Sequence, residues 1–168
     1  MKRFWIINLI LFQASWAAAA WYPQQAALII ASLLVVHFLC SPSPRFDSKI
    51  LLLSLIGISA DALLLFLGAF YSPMAFFPLW LLLLWFMFVI SLNHCLHWLI
   101  NQPIGLLACF GALGGTLSYW AGIQAGALQT HWPITWLIGS LMLTWSILLP
   151  LLIYGYRYLQ MIFRDLSR

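Results

Sequence analysis

The stretch KILLLSLIGISADALLLFLGAF, residues 49–70, decides the fold class of this chain. It starts with Lys49, and Asp61 is the only charged side chain in the rest of the run. The hydrocarbon core of a bilayer is about 30 Å thick and is crossed by about 20 helical residues. A run of this length and composition therefore predicts a transmembrane α-helix.

Similar apolar runs lie on both sides of this stretch, separated by short segments rich in Pro, Gly, Ser and charge. Together they predict six spans, at about 4–21, 25–40, 49–70, 77–100, 103–126 and 133–156. The chain is 65% hydrophobic and 6% charged, whereas a soluble domain is about a quarter charged. The prediction is an all-α integral membrane bundle of six transmembrane helices with short loops, formed by residues 1–168 as a single domain.

The basic residues predict how the bundle is oriented. Lys and Arg mark the cytoplasmic ends of spans, and six spans place all seven on the same side. Both termini are therefore predicted to be cytoplasmic, and nucleic-acid binding is disfavoured because the basic residues flank spans instead of forming an exposed patch. The seven are Lys2, Arg3, Arg45, Lys49, Arg157, Arg164 and Arg168.

The beginning of the chain also has features of a cleavable signal peptide. Lys2 and Arg3 precede an apolar stretch that ends in four alanines, residues 17–20. Asn8 and Gln13 interrupt that stretch and the bulky Trp21 follows it, so we expect an uncleaved first span.

Asp61 is the acidic residue predicted to lie deepest in the membrane. It is twelve residues beyond Lys49, about 18 Å along a helix, and Ser54 and Gly57 share its helix face. Its role is either functional, as a proton or cation relay or an anchor for a substrate, or structural, as a buried acid hydrogen-bonded to a neighbouring span. Relays usually need a second titratable group at similar depth and none is apparent, so the functional and the structural interpretation both stay open.

A second polar group is predicted near the cytoplasmic ends of the spans. His37-x-x-Cys40 and His94-x-x-His97 each place two side chains on one helix face, and imidazole and thiolate are good metal ligands. This spacing also occurs in residues that only pack, so we predict no metal and no cofactor, with those four as the residues that would bind one. The cysteines are expected to face the reducing compartment without disulfides. The candidate functional residues are Asp61, Asn8, Gln13, His37, Asn93, His94 and His97.

Small residues recur along the fifth span at intervals of three and four. Small side chains let transmembrane helices approach closely. We therefore assign Gly111, Gly115, Ser118 and Gly122 to helix packing.

Three sets of residues occur in a distinctive order: Asn8-x-x-x-Phe12-Gln13-x-x-Trp16, then Leu92-Asn93-His94-x-Leu96-x-Trp98, then Gly114-Gly115-x-x-x-Tyr119. In this order the chain resembles a bacterial family of small polytopic integral membrane proteins that is catalogued as a domain of unknown function. The resemblance covers nearly the whole chain. It implies a location in the bacterial inner membrane and brings no catalytic residue.

Three classes of function remain open. The favoured one is a non-enzymatic membrane subunit or scaffold that binds a membrane protein partner or membrane lipids. The second is a small-solute or proton transporter that uses Asp61. The third is a membrane enzyme that modifies lipid or another hydrophobic substrate with the cytoplasmic-side His/Cys/Asn layer; the sequence has no Ser-His-Asp set or metalloprotease motif to support it.

Overall fold

The computed structural model describes the backbone of residues 4–165 and the side chains up to residue 163. Within this range every regular element is helical, and the one β-type pairing is an isolated bridge between Tyr71 and Gln129. The all-α prediction is therefore confirmed. The helices are α1 (Phe4–Trp21), α2 (Pro23–Cys40), α3 (Pro44–Ile50), α4 (Ser54–Phe66), α5 (Leu79–Ser91), α6 (Ile104–Gln124) and α7 (Ile134–Asp165), with 3₁₀ turns at Leu51–Leu53 and His97–Asn101.

Among the described residues, five helical segments are long and apolar enough to cross a membrane. They are α1, α2, the continuous segment Pro44–Phe66 that joins α3 to α4, α6, and α7. Their outward faces are apolar too: Leu28, Leu39 and Phe66 are exposed to 75%, 80% and 78%. Faces of this kind are solvated by hydrocarbon and not by water, which is typical of a multi-pass membrane protein.

The prediction of six spans of membrane length was wrong at the fourth span, 77–100. Here the α-helix covers only Leu79–Ser91, 13 residues, or about 20 Å. From Leu92 onward the chain makes successive tight turns, with backbone hydrogen bonds from Asn93 to Ile90 and from His94 to Ser91. These turns direct Asn93 and His94 toward α3, and the helix ends where that polar contact begins.

Other helix boundaries also differ from the prediction. The third helical segment begins at Pro44 instead of residue 49, so Asp47 is helical, and α4 ends at Phe66 instead of residue 70. Beyond this end Gly68 has a φ of 74°, the left-handed conformation that commonly terminates helices at glycine. The last helix continues past residue 156 to Asp165. Of the basic residues used to orient the bundle, Lys2, Arg3 and Arg168 lie outside the described residues, as does the side chain of Arg164.

Candidate functional site

Polar side chains from six parts of the chain converge at the end of the bundle where α2 finishes and α3 begins. We call this the polar network; Asp47 is its centre. Asn8, His37 and Asp47 are fully buried. Its members are Asn8 from α1, His37 from α2, Ser41 and Ser43 from the α2–α3 connection, Asp47 from α3, Asn93 and His94 from the turns after α5, and Tyr156 from α7.

The Asp47 carboxylate is surrounded by hydrogen-bond donors. Oδ2 lies 3.2 Å from His37 Nε2 and also accepts from the Ser41 hydroxyl. Oδ1 accepts from Asn93 Nδ2 at 2.8 Å, and His94 Nε2 lies 3.1 Å from both carboxylate oxygens. A carboxylate offers about four lone-pair positions, and four different side chains fill them here. The burial of Asp47 is thus compensated by a complete donor shell.

The position of the proton on His37 follows from its neighbours. The backbone N–H of Cys95 donates to Asn8 Oδ1 at 3.2 Å, so the amide nitrogen of Asn8 must face His37 Nδ1, at 3.4 Å. An amide nitrogen is a donor only, so Nδ1 accepts and His37 carries its proton on Nε2, which donates to Asp47. The same reasoning fixes Asn93, because Tyr156 donates to its Oδ1 at 2.6 Å and leaves its Nδ2 for Asp47.

Three of these residues could hold a metal ion by distance alone. One ligand atom each from His37, Asp47 and His94 lies within 4.8 Å of the other two. Two histidines and a carboxylate form a known metal-binding set. A metal bound to His37 Nε2 would, however, force the ring proton onto Nδ1, where it would face the amide nitrogen of Asn8, which is also a donor. The arrangement fits a hydrogen-bonded cluster better than a metal centre.

The network contains only some of the residues that the sequence marked as metal ligands. His37 and His94 lie in it, whereas Cys40 and His97 are exposed. The i, i+3 spacing placed each of these pairs on one face, but α2 and the turns after α5 present only one residue of each pair to Asp47. The structure thus groups His37 and His94 around Asp47 and leaves Cys40 and His97 outside the polar network.

Sequence reasoning missed Asp47, because residue 47 lies in the connection between the predicted spans 25–40 and 49–70 and so outside any predicted span. A local signal was present. Pro44 is at the first position of α3 and Asp47 lies in its first turn, and both residue types are enriched there. Those two features would have moved the helix start back to residue 44 and placed Asp47 inside the bundle.

Asp61 lies away from the polar network and is 2% exposed. Its carboxylate accepts from Trp85 Nε1 at 2.6 Å and from the Tyr119 hydroxyl at 2.6 Å. Trp85 in turn stacks on Trp145, with ring centroids 5.5 Å apart and an interplanar angle of 13°. Asp61 therefore holds together side chains from α5 and α6, and through Trp85 it is linked to α7.

The helix-packing residues assigned on α6 have different surroundings. A Cβ at Gly111 would overlap the backbone of Trp145, and one at Gly115 would overlap the Trp145 indole. Ser118 accepts a hydrogen bond from Trp16 Nε1 at 2.8 Å. At Gly122 an added Cβ would meet no heavy atom within 4 Å among the described residues, so close helix packing there does not depend on glycine.

A cavity of about 500 Å³ lies between α1, α5, α6 and α7. This volume falls within the roughly 300–1,000 Å³ of small-molecule sites. Gln13, on α1, contributes to the wall of this cavity and not to the polar network. No described residue that lines the cavity is charged or is a histidine. The wall is rich in aromatic rings: Phe12, Trp16, Trp85, Phe88, Tyr119 and Trp145.

The apolar helices and the charge-free cavity define a helical membrane-type bundle with room for a hydrophobic ligand. A family model described as "Protein of unknown function (DUF2878)" matches residues 5–151, and the chain belongs to that family. The sequence resemblance to a domain of unknown function is thereby confirmed. No curated protein and no solved structure matches the chain.

Proposed function

We propose that this protein is a non-enzymatic membrane protein that binds a lipid chain in the aromatic cavity. The cavity is the observation that carries the proposal, because it is an apolar space of about 500 Å³ that opens at the surface beside the exposed Phe110 and Leu117, and acyl chains are the abundant apolar groups that such a surface meets in a membrane. Its wall extends along α6 from Phe110 to Ala121, about 16 Å at 1.5 Å per residue. One leaflet contributes about half of a 30 Å hydrocarbon core, so the cavity matches one acyl chain in length.

The same proposal includes the membrane and the orientation of the chain. We place it in the bacterial inner membrane with both termini cytoplasmic and six crossings, α5 and the turns after it forming the short fourth one. The basic residues support this: Arg45 and Lys49 are on α3 with Asp47, and Arg157 follows Tyr156 on α7, so all three belong to the end of the bundle that holds the polar network. A reporter that is active only in the cytoplasm should be active when it is fused to the carboxyl terminus. Activity of a fused reporter that works only in the periplasm would contradict the orientation.

The binding proposal is tested by filling the cavity. Gly114 lines the cavity and has no heavy atom within 4 Å of an added Cβ, so Gly114→Phe places a ring in the space without a backbone clash. Gly139 on α7 is equally open but does not line the cavity, so Gly139→Phe is the matched control.

The measurement is the amount of phospholipid retained by the full chain after purification in a mild detergent, read by native mass spectrometry. Wild type and Gly139→Phe should retain about one equivalent, and Gly114→Phe should retain several-fold less. Equal retention by the two variants would overturn the proposal.

The enzyme class has one specific observation in its favour. His94 Nε2 is directed at Asp47, so Nδ1 is the nitrogen that could accept a proton from a substrate. Catalysis at this position predicts that His94→Gln abolishes the biological activity while the protein still folds and still retains lipid. For the transporter class, both donors to Asp61 also line the aromatic cavity, but no charged residue or histidine among the described residues lines it with them, and this favours a structural role for that carboxylate.

A further inference from the structure

Gln13 is an exposed polar side chain in the wall of the aromatic cavity. It lies close to midway between Phe4 and Trp21, the two ends of α1, and so about 12–14 Å from either end. The polar side chains of Asn8 and Ser15 on the same helix have hydrogen-bond partners, whereas the Gln13 amide has none among the described residues. An accessible amide thus faces the cavity near the middle of the membrane.

The surroundings of Gln13 do not supply the partners that its amide would have in water. The hydrocarbon core of a bilayer holds no water for exposed polar groups, and an unpaired amide in an apolar medium is costly. Trp85 and Tyr119 in the same wall are already used, because both donate to Asp61. The Gln13 amide is therefore free to bind a polar group that enters with a ligand.

The hydroxyl of Ser118 is a second polar group with unused capacity. Ser118 is half-buried and lines the cavity. Its oxygen accepts from Trp16 Nε1 at 2.8 Å, but its own O–H donates to no described residue. Trp16 lies three residues after Gln13, on the same face of α1. The amide and the hydroxyl therefore border the same space, about one helical turn apart in depth.

The packing of α1 against α6 fixes the depth of Gln13 in the cavity. Trp16 is bonded to Ser118, and Ala20 and Gly122, one turn further along each helix, line one small recess, so the two helices run in the same direction. Gln13 precedes Trp16 by three residues and is level with the middle of the stretch of α6 that lines the cavity. A group bound by Gln13 is therefore deep in the hydrocarbon and far from a lipid headgroup.

The chemistry of these two side chains selects the kind of group. The amide of Gln13 has an N–H₂ donor and a carbonyl acceptor, and the hydroxyl of Ser118 has a hydrogen to donate. A hydroxyl on the ligand can accept from either side chain and donate to the amide oxygen. The cavity wall has no charged residue to balance an anion. A neutral hydroxyl thus fits the site better than a carboxylate or a phosphate.

We propose that the preferred ligand of the aromatic cavity is a lipid whose acyl chain carries a hydroxyl group in its deep half, bound by Gln13 and Ser118. The inference rests on the proposed function and adds to it the class of acyl chain. An unsubstituted chain fills the same space but leaves the Gln13 amide unpaired.

The test compares phosphatidylethanolamines that differ only in one acyl chain. A 12-hydroxystearoyl lipid, with its hydroxyl in the deep half of the chain, is mixed in equal amount with the stearoyl lipid. A second mixture contains a 2-hydroxystearoyl lipid, whose hydroxyl is beside the ester, and the stearoyl lipid. The full-length protein is incubated with each mixture in mild detergent, and the bound species are compared by native mass spectrometry.

Wild type should favour the 12-hydroxystearoyl over the stearoyl lipid by about three- to tenfold, the value of one neutral hydrogen bond. The ratio for the 2-hydroxystearoyl lipid should be about one. Gln13→Leu removes the amide and should lower the 12-hydroxystearoyl ratio to about one while the total bound lipid persists. Gln124→Leu is the matched control, because Gln124 is an exposed glutamine at the end of α6 that does not line the cavity, and its ratio should stay at the wild-type value.

A wild-type ratio near one for the 12-hydroxystearoyl lipid overturns the inference and assigns the amide to water, and this measurement needs no variant to fold. Equal preference for the two hydroxylated lipids overturns it, as does an unchanged ratio in Gln13→Leu. A wild-type dimer that Gln13→Leu converts to a monomer also overturns it, because the partner of the amide is then a second copy of the chain. If wild type retains no lipid above the level of Gly114→Phe, the proposed function itself fails.

Discussion

Replacing Asp47 with alanine removes the acceptor that the polar network shares and should destabilise the folded protein substantially. His37 is fully buried, so losing the acceptor of its Nε2–H costs about 1–3 kcal/mol. His94 is 7% exposed and can regain water, and Asn93 keeps its hydrogen bond to Ser43 at 2.9 Å. These partial losses are not additive, and together with His37 they give an expected loss of about 2–4 kcal/mol.

The assay is the free energy of unfolding in mixed micelles of mild detergent and dodecyl sulfate, followed by tryptophan fluorescence. Ser48 lies one residue away on α3, and its exposed hydroxyl only donates to the Pro44 carbonyl. Ser48→Ala is therefore the matched control and should stay within about 0.5 kcal/mol of wild type. If Asp47→Ala falls in the same range as Ser48→Ala, the reasoning about the shared acceptor is refuted.

Three further outcomes are expected in the same unfolding assay. Gly115→Ala should lose about 1–3 kcal/mol because its Cβ would overlap the Trp145 indole, whereas Gly122→Ala should be neutral or slightly stabilising; equal effects would contradict the packing described for α6. Asp61→Leu should lose about 1–3 kcal/mol because two buried donors lose their acceptor, and Asp61→Asn, which keeps one oxygen, should lose less; equal losses in the two variants would show that one remaining oxygen does not replace the carboxylate. Zinc should leave the unfolding free energy unchanged. If the polar network bound zinc, zinc at 100 times the dissociation constant would raise the unfolding free energy by about 2.7 kcal/mol, so a gain of that size would show that the network binds metal.

The fold was predictable where it depends on composition along one segment. The first span, at 4–21, agrees with α1 at Phe4–Trp21 because its two ends are marked by local changes in sequence. The fourth span could not be placed in this way. Residues 77–100 are apolar enough to continue a helix, and α5 ends at Ser91 because Asn93 and His94 make contacts with a residue more than forty positions earlier in the chain.

The candidate site shows the same division between local and distant information. The sequence marked Asn8, His37, Asn93 and His94 as polar residues in apolar surroundings, and the structure brings these four together. It marked Cys40 and His97 on the same grounds, and both are exposed. Helical spacing says which residues share a face, but it does not say which face meets a neighbouring helix.

By itself, the sequence determined that this is an all-helical chain suited to a membrane, because the cost of placing charge in hydrocarbon acts on each segment independently. Only the tertiary structure decided that Asp47 is the centre of the polar network and that an aromatic cavity lies between α1, α5, α6 and α7. Both depend on side chains that are distant in sequence. A carboxylate becomes a buried acceptor, and a set of aromatic rings becomes a cavity wall, only when the helices that carry them are packed together.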